Sequence, residues 1–421
     1  MRNRNLSIGL TAAALVALTV VGTATRAAAQ TQTVLFSFNQ SNPGDGLSPH
    51  GTLTLDAAGN LYGTTTYGGV NGFGTVYELT PSAGGGWTEK VLHSFSETGV
   101  DGIVPESGVI LDASGNLYGT TSGGSPYGCG TVFKLKPAPH GGWIEEILYS
   151  FTGCTLDGAG PQGSLIFDAV GNLYGTTSLC GAHNYGSVFE LTPTAGGGWA
   201  ERTLHSFNDN GTDGYDLRAG SLALDAAGNL YGTTFGGGTY GYGTVFELKH
   251  NPAGGWSEQI LHSFNDNGTD GYNHYLPNGV VLDASGNLYG TTDAGGTSDF
   301  YGVVFELSRN AAGGWGEKIL HNFTDNGTDG LNPSGGLIWG ASGKLYGITE
   351  DGGAYYIGTV FEMTPTPTGG WAESVPYTFN GNGTNSFFPN GGLALDSSGN
   401  LYGTTNGGGA YDSGTVFEIT P

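Results

Sequence analysis

The sequence predicts an all-β fold: a seven-bladed β-propeller of four-stranded antiparallel blades, closed by its N-terminal strand. Three observations predict it. The stretch GNLYGTT at Gly59–Thr65 returns six more times, once as GKLYGIT from Gly343, with its tyrosines at 62, 118, 174, 231, 289, 346 and 402. Successive copies are 56, 56, 57, 58, 57 and 56 residues apart, and a period this regular marks a solenoid, a propeller or an array. Each period holds four short segments rich in β-branched and aromatic residues between glycine clusters, while no window shows a glycine-free 3.6-residue period.

The first strand of a unit is GTLTLD (Gly51 to Asp56), with GSLALD and GGLALD as later copies. Asp56-Ala57-Ala58-Gly59 joins it to the second strand, NLYGTT; a type I turn followed by a left-handed glycine suits this connection. The third strand is GTVYEL at Gly74, repeated as GTVFKL, GSVFEL, GTVFEL, GVVFEL, GTVFEM and GTVFEI. The fourth is WTEKVLHSF (Trp87 to Phe95), with Trp-x-Glu recurring at Trp143, Trp199, Trp256, Trp315 and Trp371. Strands one to three occur seven times, but the tryptophan-bearing fourth strand occurs six times. The missing copy stands at the other end of the chain, where Val34-Leu35-Phe36-Ser37-Phe38 matches Val91 to Phe95. Complementary ends of this kind close a ring, with residues 33–38 completing the last blade. Gly63 and its copies lack a side chain inside a strand, which predicts the close approach of another group; an aromatic ring from the next blade, the repeated Tyr or Trp, is the expected occupant.

The residues before the first strand read MRNRN, then LSIGLTAAALVALTVVGTA, then a small-residue site at Ala27 and Ala29. This is the pattern of a secretory signal peptide over residues 1–29, leaving 30–421 as the propeller. No other apolar run approaches the roughly 20 residues of a membrane span, so the expectation is a secreted, periplasmic or cell-surface protein, monomeric, with no membrane span after cleavage. Asp and Glu number 36 against 12 Lys and Arg, a net charge of −24. So acidic a surface repels nucleic acid and anionic lipid. Eighty-one glycines beside 12% aromatics suit tight turns between packed strands rather than disorder.

The combination DAxGNLYGTT…GG…GTVFEL…GGW…LHSF resembles the GloVer tandem repeat, the gloeo/verruco repeat of exported bacterial proteins, over residues 33–421. The resemblance implies an extracytoplasmic location, often with a C-terminal anchor or sorting signal; this sequence departs from it by ending at GTVFEITP. It implies no catalytic residues. The LDAxGNLY hairpin also looks like that of NHL-type propellers, an analogy of fold alone.

Residues repeated in every blade are spread around a ring and do not converge unless they line the axis. His93, His205, His262 and His321 share one fourth-strand slot with Tyr149, Tyr377 and Phe36, which reads as aromatic packing rather than catalysis or metal binding. The Glu of Trp-x-Glu and of GTVFEL read as outer surface. No GxSxG, HExxH or phosphate-binding loop is present. No catalytic residues are assigned, and a non-enzymatic role follows.

Function is expected where the repeat is broken. The loop leading into a blade normally reads as DGLSP, DGIVP, DGAGP or DGLNP do, but DGYDLRAG and DGYNHYLPNG in blades 4 and 5. These add Tyr215, Asp216, Arg218, Tyr272, His274 and Tyr275; the hairpin loops beside them, between strands two and three, add Phe235, Tyr242, Asp293 and Tyr301. Rings that stack on sugar faces, interleaved with polar groups for hydroxyls, suit an extracellular glycan; Tyr and Arg also suit a protein partner. The expected function is therefore an exported, non-catalytic binding module, with a polysaccharide lyase or hydrolase, or a structural surface protein, as alternatives. FNDNGTDG and FTDNGTDG make Asp209, Asn210, Asp213, Asp266, Asn267, Asp270, Asp325, Asn326 and Asp329 a partial match to calcium loops; no other cofactor is expected. Among three cysteines, Cys154 with Cys180 is the favoured disulfide, since both fall in loops of one face, and Cys129 with Cys154 is its competitor.

Overall fold

The computed structural model describes residues 30–154, 157–218, 220–251, 254–273, 278–298, 300–381 and 386–420; the expected signal peptide lies outside them. Seven antiparallel sheets stand side by side as blades I to VII. Blade I runs Gly46–Leu55, Leu61–Gly68, Thr75–Pro81 and Trp87–Ser94, from inner strand to outer. In blade VII the strands Ser386–Leu395, Leu401–Gly408 and Thr415–Thr420 are completed by the N-terminal strand Thr31–Ser37. This closing strand pairs Thr31 with Thr420 and Ser37 with Thr415, and it bulges between Val34 and Phe36. Blade I bulges at the matching place, where Val76 faces His93 and Tyr77 faces Val91. The closing strand thus reproduces the fourth strand of a blade down to its irregularity. Among the described residues the one helical turn is 3₁₀, Ala341–Gly343, and no helix is long and apolar enough to cross a membrane.

The repeated motif is explained by one aspartate. Asp56 Oδ1 accepts the backbone N–H groups of Ala58 and Asn60, while Oδ2 accepts the Asn60 amide and the Tyr62 hydroxyl. Gly59 closes the turn at φ +86°. Asn and Tyr of GNLYGTT therefore serve the turn that precedes them. Blade VI tests this: Gly340 replaces the aspartate, and there Lys344 replaces the asparagine and pairs with Glu362 at 2.8 Å.

The core lies between blades. Each apolar cluster spans two of them; one joins Tyr62, Val76 and Phe95 of blade I to Val109, Leu117 and Phe133 of blade II. Phe95 is fully buried and meets the Phe133 ring edge-on at 5.2 Å, a contact repeated around the ring. Burying each such phenylalanine contributes about 1.5–3 kcal/mol. Tyr62 also meets Trp143 across the same seam, centroid to centroid at 6.5 Å.

Two expectations are corrected. The ring over Gly63 belongs to the same blade: a Cβ there would lie 2.4 Å from the Tyr77 hydroxyl, and Tyr77 is the cross-strand partner of Gly63. The third-strand aromatic is bulkier than the pleat allows beside any side chain, so the motif keeps glycine. The Trp-x-Glu glutamate is also not outer surface. At the seam of blades I and II, Glu145 turns inward to His93, leaving its side chain 17% exposed. Glu258, Glu317 and Glu373 stand in the same way beside His205, His262 and His321. The GTVFEL glutamate likewise receives the Tyr hydroxyl, and Glu247 is 1% exposed.

Candidate binding site

Each loop leading into a blade pairs with the hairpin loop of the same blade, Gly102 with Gly124 and Gly214 with Gly237 for example. The two loop sets therefore share one face, as the sequence predicts. A left-handed residue then reaches back to the preceding blade: Val104 N–H bonds Phe73 O, Asp216 N–H bonds Tyr185 O and Asn332 N–H bonds Tyr301 O, all at 3.0 Å. The loop proline follows and lies against a glycine of that blade, Pro105 on Gly74 and Pro333 on Gly302. In blade IV the buried Leu217 takes this place against Gly186. The extra residue of that loop consequently falls after Leu217, where Arg218 stands exposed.

The structure brings Asp216, Arg218 and Phe235 together. The Arg218 guanidinium bonds Asp216 Oδ2 at 2.7 Å and stacks over the Phe235 ring at 4.8 Å. Burial raises the Asp216 pKa against the opposing pull of Arg218. Tyr215 is half-buried against Tyr185, and Tyr242 leans on Tyr272. Tyr272 is 8% exposed and part of the core, Asp293 is buried, and Tyr301 packs on the cluster between blades V and VI. His274 and Tyr275 lie outside the described residues. Exposed aromatics are not confined to blades IV and V. Among the described residues Tyr67, Tyr127, Tyr240, Phe300, Tyr355, Tyr356 and Tyr411 stand more than half exposed, at the second-to-third-strand hairpins of every blade except III.

The DNG loops divide their oxygens. Asn210 Oδ1 accepts the Thr212 N–H, the Thr212 hydroxyl and the Asp213 N–H. Asp209 is exposed, while Asp213 is buried and turned to Asn208 N–H and His205 Nε2. Asn267 with Asp270, and Asn326 with Asp329, repeat this division. Cys154 and Cys180 are disulfide-bonded with Cα atoms 4.2 Å apart, and Cys129 is free.

The site that sequence reasoning missed is the axis. One position beyond the loop proline, six of the seven blades present His50, Glu106, Gln162, Asn278, Ser334 and Asn390, all lining a central cavity of about 430 Å³. Flanking glycines let the inner strands converge: a Cβ on Gly108 would lie 2.0 Å from Thr52 O. Gln162 Nε2 donates to Glu106 Oε2 at 2.8 Å, and His50 Nδ1 is 2.7 Å from Glu106 O. Burial lowers the His50 pKa, holding its imidazole neutral. Farther along the cavity the lining turns apolar, with Leu224, Leu282 and Trp339. The available signal was the inverse of the repeat, one slot after the loop proline that reads His, Glu, Gln, Asn, Ser and Asn in six blades while the residues around it change little.

Solved structures of similar form include a candidate 6-phosphogluconolactonase from Bacteroides uniformis (12% identity, 83% of this chain and 95% of that one, TM-score 0.49). Others are polysaccharide lyase Uly1 (11% identity, 91% and 92%, TM-score 0.48) and a PQQ-bound aldose sugar dehydrogenase from Streptomyces coelicolor (14% identity, 93% and 98%, TM-score 0.42). Likeness at this level carries no functional argument. No curated protein sequence matches the chain. The profile of the Gloeobacter/Verrucomicrobia repeat matches residues 17–246 and again 218–421. With both the repeat and the blades it builds accounted for, the chain belongs to the Gloeobacter/Verrucomicrobia repeat family.

Proposed function

We propose that the protein is an exported, non-catalytic binding module for an extracellular glycan, held at the axial mouth and the loop face around it. One observation carries this reading: the slot at which six blades converge on the cavity holds five different residue types, in His50, Glu106, Gln162, Ser334, Asn278 and Asn390. Amide, imidazole and carboxylate groups there offer both donors and acceptors to hydroxyls. On the loop face Phe235 stacks with Arg218, and exposed rings of the hairpin loops offer platforms for sugar. Concave sites of this size with a few convergent polar groups are the usual form of small-ligand sites.

A second reading, an enzyme acting on polysaccharide, is favoured by His50, an imidazole on the cavity wall beside the Glu106 carbonyl and so a candidate general base. Retention of residues 30–421 on a panel of bacterial and plant polysaccharides, with and without calcium, separates the two. Binding without release of product supports the module. Released product supports the enzyme, and neither retention nor product rejects both.

A further inference from the structure

The four seams that carry histidine share one arrangement. Between blades I and II, His93 Nε2 lies 3.5 Å from both Asp101 Oδ2 and Glu145 Oε1. Between blades IV and V, His262 Nε2 lies 3.0 Å from Asp270 Oδ2 and 3.6 Å from Glu317 Oε1. In all four, one ligand atom from each residue falls within 4.8 Å of the others. Bonds of about 2.0–2.2 Å at tetrahedral angles separate ligand atoms by about 3.3–3.6 Å; the histidine-to-carboxylate distances of the seams of His93, His205 and His262 run from 3.0 to 4.0 Å around that spacing.

The hydrogen bonds of these seams leave oxygens over. The Asp101, Asp213 and Asp270 side chains are at most 8% exposed, yet Oδ1 of each is buried without a partner. The inward Oε1 atoms of Glu145, Glu258 and Glu317 are orphaned too. The seam of blades II and III shows a satisfied alternative. There Tyr149 stands in the histidine slot, and its hydroxyl, the Thr152 N–H and hydroxyl, and the Gly153 N–H saturate both oxygens of Asp157. The Phe36 seam keeps a buried Asp45 Oδ1 and Glu89 Oε1 without partners but lacks the third ligand. Access is provided as well: a cavity of about 310 Å³ opens onto His321, Asp329 and Glu373.

We propose that these four seams are binding sites for a divalent transition ion of the zinc class, each holding it by a histidine Nε2, an aspartate oxygen and a glutamate oxygen. Imidazole with carboxylates suits such ions, whereas calcium takes six to eight oxygens. A fourth position is left to water. Binding needs the carboxylates ionised and the imidazole neutral, so affinity falls as pH is lowered. The site also joins adjacent blades, because the histidine comes from one and the glutamate from the next. This inference does not depend on the glycan reading.

The test is calorimetric titration of tag-free protein, stripped with chelator, with zinc chloride at pH 7.5. The expected result is saturable uptake of four ions per chain, with a higher melting temperature. The variant carrying His93→Phe, His205→Phe, His262→Phe and His321→Phe should lose both effects. Phenylalanine occupies this slot naturally at Phe36, where it keeps the ring contact with Phe38, so the substituted seams retain their packing. Should the fourfold variant fail to fold, His321→Phe alone should remove one equivalent. Absence of saturable uptake by the parent, or uptake undiminished in a folded variant, overturns the proposal.

Discussion

His262 Nε2 lies 3.0 Å from Asp270 Oδ2, binding the outer strand of blade IV to the loop into blade V. Glu317 completes the group from blade V itself. Burial pushes the Glu317 carboxyl up to about 8, although His262 pulls it down. Glu89, Glu145, Glu201, Glu258 and Glu373 are raised to about 7, again chiefly by burial.

Stability in chelator should therefore fall as pH rises. Below the unfolded value near 4.5 these glutamates are protonated in both states, and their contribution is fully present. Between that value and about 7–8 the folded chain holds protons that the unfolded chain releases, so stability drains away. His93 and His262 act in the same sense: burial opposes their charge, the carboxylates outweigh it, and their raised pKa values carry stability that is lost at higher pH. Asp56, Asp112, Asp225 and Asp396, held low by their turn donors against burial, lose their contribution only below about pH 4. Calorimetric melting should be higher at pH 5 than at pH 8.5; equal or rising values would contradict the seam assignment.

Glu317→Gln separates the charge from the packing. Gln32 fills the equivalent place where the closing strand meets blade VI, and it accepts the Tyr377 hydroxyl at 2.7 Å. The variant should match the parent at pH 5 and gain on the order of 1–2 kcal/mol at pH 8.5, read from urea denaturation in chelator. Equal destabilisation at both pH values would show that the carboxylate itself is required.

Two glycines of one motif should respond differently. A Cβ at Gly119 would lie 2.6 Å from Phe133 Cζ, whereas one at Gly115 meets nothing within 4 Å but sits at φ +80°. Gly119→Ala should cost about 2–3 kcal/mol through overpacking. Gly115→Ala should cost about 1–2 kcal/mol through backbone strain alone. Chemical denaturation of both variants checks the order.

The period, the strands and the closure were legible because repetition copies each local rule around the ring: Asp56, Gly59, Asn60 and Tyr62 recur together in six of the seven blades since one turn uses all four. The residue over Gly63 was misplaced because cross-strand register cannot be read from spacing within a strand. The half-buried glutamates were read as surface because alternation along the fourth strand does not reveal that a neighbouring blade covers its outer edge. The axial set was missed for a related reason. His50, Glu106 and Gln162 share no residue type, and only the closed ring makes them neighbours.

Closure by the N-terminal strand carries its own prediction. Leu35 and Phe38 are buried between blades VII and I, so a chain starting at Asn39 exposes that seam and an open edge strand. It should unfold at markedly lower urea or self-associate, and a peptide of residues 30–38 should restore the parent midpoint. An unchanged midpoint without the peptide would contradict the closure.

The central claim is that function lies at the axis, where otherwise similar blades present differing polar side chains. It is tested most directly by comparing the affinity of His50→Ala and Gln162→Ala with that of Lys90→Ala, an outer-strand change, for the polysaccharide that retains the parent. The account predicts at least a roughly tenfold loss, about 1.4 kcal/mol, for each axial variant and no change for Lys90→Ala. Equal affinity of all three would place the function away from the axis.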